Sequence, residues 1–196
     1  MESKYFSITL FILFSHSIYS QNSSKNEYYN GVFNWKIIIP ENFQYVNSEE
    51  QKQLQKKGED AIEKTYNQEI INQSIHIFAF NNGKFNYFDS SYQPFDTEID
   101  GDYITTCKGV NNILYETIST QLKGAEIDTI STTEIIDKLE FQKFILKVKL
   151  PNEIIMNMIT YCRLFDKKEL SVNIIYIDEK KGKLMLELGQ NSIFSE

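Results

Sequence analysis

Residues Phe141 to Asp178 read FQKFILKVKLPNEIIMNMITYCRLFDKKELSVNIIYID, and this stretch decides the fold. Apolar and β-branched residues dominate three runs, Phe141 to Leu150, Ile154 to Phe165 and Leu170 to Asp178. Pro151-Asn152 and Asp166-Lys167-Lys168 separate them. Val, Ile, Phe and Tyr suit a pleated, half-buried surface, whereas Pro lacks the donor a ladder needs. Strands joined by connections this short pair antiparallel, so the segment predicts a three-stranded meander.

Working outward, Glu126 to Thr132 adds another strand pattern on the N-terminal side. Before it, Tyr103, Cys107, Val110, Leu114, Ile118 and Leu122 recur every three or four residues up to Gly124, the stripe of an amphipathic helix. Ser74 to Phe80 followed by the turn Asn81-Asn82-Gly83 and then Lys84 to Phe88 predicts a hairpin. Ser48 and Gln51 form a capping-box pattern ahead of the polar helical segment EEQKQLQKKGEDAIEK, which Gly58 weakens at its middle. Val32, Phe33, Trp35 and Ile37 to Ile39 predict the first strand, stopped by Pro40. Beyond the meander, Lys180 to Gly189 reads as a closing helix.

The chain has 196 residues, 41% of them hydrophobic and 24% charged, enough for one domain with a substantial core. A net charge of −7, with Arg163 the only arginine, argues against a nucleic-acid grip and against bidentate recognition of phosphate. Lys4, an apolar run from Tyr5 to Phe14 and the small-residue stretch ending at Ser20 have the order of a secretory signal peptide, with cleavage expected after Ser20. Residues 1–20 are therefore expected to be a leader, 21–30 a flexible polar tail and 31–196 a single domain. Localisation follows as periplasmic or secreted, with no membrane-spanning segment after the leader is removed.

Three stretches carry a family resemblance: FNWKIIIPENFQY from Phe33, FAFNNGKFNYF from Phe78 and MLELGQNSIF from Met185. With the order of elements around them, the chain resembles the PsbP-like superfamily over roughly Gly31 to Phe194. The resemblance implies an α+β fold, an antiparallel sheet flanked by helices in an α/β/α sandwich. That superfamily includes photosystem II accessory proteins, a Ran-binding import factor and many exported bacterial proteins of unknown role. None of the matched motifs is catalytic, so no functional residue is carried over and no partner is chosen by analogy.

Candidate chemistry is sparse. His16 falls in the leader and leaves His76 alone, with no HExxH, CxxC or GxSxG pattern to supply companions. Asp96, Glu98, Asp100 and Asp102 place alternate oxygen donors around Gly101 like half of a calcium loop. Cys107 stands where the closing Glu belongs, and capping of the following helix by Asp100 or Asp102 is the favoured reading. Cys107 and Cys162 are compatible with a disulfide in an exported chain, but burial as small hydrophobes is the favoured reading, since a helix packed on a sheet keeps its backbone farther away than a bridge prefers. Glu49-Glu50 and Glu59-Asp60 read as solvated charge on the polar helix. Within Phe85 to Phe95, Tyr87, Tyr92 and Phe95 form a candidate recognition surface, against the reading that the phenylalanines plug the core below a loop.

The sequence therefore predicts a non-enzymatic binding or accessory protein without a cofactor, its partner another envelope or secreted protein. A small-ligand carrier with a cavity between sheet and helix is the alternative, and a hydrolase ranks behind both.

Overall fold

The computed structural model describes residues 27–195; the expected leader and most of the expected tail lie outside them. In chain order the elements are β1 Glu27–Asn30, β2 Trp35–Ile38, β3 Gln44–Tyr45, α1 Ser48–Tyr66, β4 Ile75–Asn81, β5 Tyr87–Pro94 and α2 Thr97–Asp100. They continue as α3 Tyr103–Gln121, β6 Glu126–Ile136, β7 Leu139–Lys149, β8 Ile155–Phe165, β9 Lys168–Tyr176, α4 Glu179–Gln190 and β10 Ile193–Phe194. The α+β class and the antiparallel sheet with flanking helices are those expected.

Seven strands form one sheet in the order β3-β4-β5-β9-β8-β7-β6, with every neighbouring pair antiparallel. The predicted meander is its right half, β7-β8-β9. It is lengthened by β6, which reaches Ile136 and turns through Asp137-Lys138. Both turn residues have positive φ, 45° and 67°, the geometry whose twist matches a two-residue hairpin. No glycine marks this turn, which is why the sequence pattern stopped the strand early.

A smaller sheet, β1-β2-β10, corrects two expectations. The first strand does not run from Gly31, because residues 31–34 form a turn with Asn34 at φ 48°. The Asn30 Oδ1 accepts from the Val32 and Phe33 amides at 3.0 and 3.3 Å, folding Glu27–Asn30 back onto β2. The end of the expected tail is thus a strand. The helix cap is also displaced by one residue: Asn47, not Ser48, accepts from the Glu49 and Glu50 amides.

The segment expected as an aromatic loop is largely β5, a central strand between β4 and β9. Tyr87 to Pro94 alternates its side chains between two covered faces, and Pro94 is tolerated because it ends the strand. One face carries the main core. Phe88, Leu170, Ile174, Tyr161 and Phe141 there meet Trp35 and Ile37 of the small sheet and Met185 of α4. Phe80 and Phe88 stack at 4.6 Å between centroids. The opposite face holds a smaller apolar cluster, where Leu114 and Ile118 of α3 and Leu122 at its C-cap cover Phe144, Leu146 and Val148 of β7.

Candidate functional site

On the helix-covered face, the apolar cover ends at β7 and β8, and the strands further along present polar groups. Tyr87, Asp89, Ser91 and Gln93 of β5 stand beside Glu169, Ser171 and Asn173 of β9, paired as Asp89 with Asn173, Ser91 with Ser171 and Gln93 with Glu169. Helix α1 leans on α3, where the Tyr66 hydroxyl donates to Glu116 Oε2 at 2.6 Å. It reaches the sheet through amide side chains of its first half. Gln51 Nε2 donates to Asp89 Oδ1 at 2.9 Å, and Gln55 Nε2 donates to Ser74 Oγ at 3.0 Å.

Two adjoining cavities result. The first, of about 680 Å³, lies between Gln51 and Leu54 of α1 and the floor formed by His76, Tyr87, Asp89 and Asn173. The second, of about 390 Å³, lies between Ile62, Cys107 and Leu114 of the helices and Thr160, Cys162 and Glu169 of the sheet. Ser74, Ser91 and Asn173 border both, so the two meet above the middle of β5 and β9.

A hydrogen-bond relay fixes the first floor. The Tyr87 hydroxyl donates to Gln51 Oε1, whose amide donates onward to Asp89. His76 Nδ1 lies 3.3 Å from the same Asp89 oxygen, within ion-pair distance but not aligned as a hydrogen bond. Burial, and after it the Asp89 charge, pushes the Tyr87 phenol up, so it remains a donor. In the second cavity Glu169 accepts from Gln93 Nε2 at 2.7 Å and, weakly, from the Cys107 thiol at 3.9 Å.

Cys107 and Cys162 are both free thiols, the reading favoured over a disulfide, and both line the same cavity. Burial raises each above the ordinary thiol value, and the Glu169 charge adds to it; both are held protonated and are weak nucleophiles. The recognition surface is not assembled. Tyr87 lines the first cavity, Tyr92 is edge-on to Phe33 at 5.5 Å on the opposite face of the sheet, and Phe95 is buried against Tyr103 at 5.3 Å.

The calcium alternative resolves into caps. Asp96 accepts from the Glu98 amide at 3.0 Å and pairs with Lys167 at 2.6 Å, Asp100 accepts from the Asp96 amide at 2.7 Å, and Asp102 caps α3 at the Thr105 amide at 2.9 Å. Among the described residues no three His, Cys, Asp or Glu side chains, Glu98 included, form a metal-binding group. Capping was expected from Asp100 or Asp102, and Asp102 does it.

Sequence reading missed Gln51, Asp89, Glu169 and Asn173. The signal was present as period-two polar positions, Tyr87-x-Asp89-x-Ser91-x-Gln93 and Glu169-x-Ser171-x-Asn173. Ordinarily such polarity marks a solvent face, and here it marks a cavity floor.

Neither a protein-family model nor a curated protein sequence matches the chain. The solution structure of cyanobacterial PsbP (CyanoP) from Synechocystis sp. PCC 6803 is similar to it, with a TM-score of 0.56 over 86% of this chain and 91% of that one at 8% identity. The fold is therefore PsbP-like. At that identity the likeness speaks for the fold alone.

Proposed function

We propose that this chain is an exported, non-enzymatic protein that binds a small molecule in the joined cavities between its sheet and helices. The observation that carries this reading is the polar floor: Asp89, Ser91, Glu169, Ser171 and Asn173 are turned toward a helix layer that leaves cavities of about 680 and 390 Å³ above them. Ligand sites combine apolar walls with a few placed polar groups in volumes of this order. Leu54, Ile62 and Leu114 supply such walls, and the protonated thiols favour holding a ligand over attacking it. Export rests on the order of residues Lys4 to Ser20.

Native mass spectrometry of the full chain recovered from its producing cell tests the reading. A bound mass released by acid is expected, and it should vanish in Ser91→Phe, which places a ring where the cavities meet. Recovery of the ligand-free mass alone, or equal loading of the folded variant, would contradict it.

A further inference from the structure

Glu169 is only 8% exposed, yet none of the ion pairs among the described residues involves it. Among the described residues, the second cavity, which it lines, is bordered by no lysine, arginine or histidine. A carboxylate removed from water and left without a countercharge is costly, and proteins ordinarily pair such groups. Its surroundings supply neutral donors only. Gln93 occupies Oε2 at 2.7 Å, while Oε1 has the 3.9 Å contact from Cys107. The Tyr103 hydroxyl is buried without a hydrogen-bond partner among the described residues. Burial above all raises its phenol. Opposite the carboxylate, the helix wall is apolar, with Ile62, Val110, Ile113 and Leu114.

We propose that the second cavity takes a small amphiphilic amine whose ammonium group pairs with the Glu169 carboxylate while its apolar body lies against α1 and α3. This deepens the ligand-binding reading and rests on it. The ammonium supplies the countercharge that the protein withholds. Thr160 and Ser171, on the same floor, offer hydroxyls to its remaining N–H groups. The first cavity is less suited to a cation, because Lys57 and Lys84 offset the carboxylates of Glu50 and Asp89 that border it.

Calorimetric titration of the full chain with 2-phenylethylamine, 2-phenylethanol and phenylacetate tests charge at nearly constant shape. The amine is expected to bind at least tenfold more tightly than the alcohol, and the carboxylate not measurably. In Glu169→Gln, with unchanged circular dichroism, the preference of amine over alcohol should disappear. Equal binding of amine and alcohol, tighter binding of phenylacetate, or an undiminished amine preference in Glu169→Gln overturns the inference. So does failure of all three probes to bind. The comparison of probes on the unaltered chain decides the matter if the variant does not fold. A bound mass in the native chain alongside any of these failures would leave the carrier reading standing and remove only the amine.

Discussion

At Gly182 the absence of a side chain is a packing requirement. A Cβ there would come within 2.3 Å of the Tyr176 ring, which is held by β9. Gly182→Ala is expected to lower stability by about 1–3 kcal/mol, the usual range for overpacking a core contact. An unchanged urea midpoint would contradict that packing. Glu134 offers a second test. Burial opposes its ionisation, but Lys143 at 2.5 Å, Gln190 at 2.6 Å and Tyr161 at 3.3 Å outweigh it and hold the carboxyl below its ordinary 4.5. A group depressed on folding contributes stability that is complete above its unfolded value and lost as pH falls through the folded one. Acid titration from pH 4.5 downward should therefore destabilise the native chain more steeply than Glu134→Gln. Parallel curves would show that the three donors do not act on folding.

Of the three long helices, α1 has the least burial, since Gln51 is the one buried residue of its 19. Its start depends on Asn47, which accepts two amide hydrogens. Asn47→Ala should cost about 1 kcal/mol, as loss of an N-cap does. Hydrogen exchange should quicken in α1 while β7, β8 and β9 stay protected. Uniform quickening across the sheet would mean that α1 and the sheet open as one unit. This division also accounts for what was legible. The meander and α3 were read because period two and the three-to-four spacing are local signals, each reinforced by its own turns or caps. Strand β5 was misread because Pro94 and Ser90-Ser91 resemble loop chemistry, and only its non-local partners β4 and β9 make it central. Asn34 and Asp137-Lys138 turn the chain at positive φ without glycine at those positions, and such turns leave little trace in composition.

The molecule as a whole sets the candidate site. The cavity belongs to no single element: its floor comes from β4, β5, β8 and β9, and its walls from α1 and α3, which rest on each other more than on the central strands. The notion of a cavity between sheet and helix was reachable from the fold class, but its lining was not. Asp89 and Glu169 acquire meaning only once strand register puts Asp89 beside Asn173 and Glu169 beside Gln93. The separate roles of Tyr87, Tyr92 and Phe95 arise the same way, from opposite faces of a sheet that sequence spacing alone did not define.

The most direct test of the ligand cavity is amide-resolved NMR of the full chain titrated with a small-fragment library. The account predicts that shifts from binding fragments gather at Asp89, Ser91, Glu169, Ser171 and Asn173 and on the facing turns of α1 and α3. Shifts gathered on the outer sheet β1-β2-β10, or scattered over the surface without saturation, would contradict it.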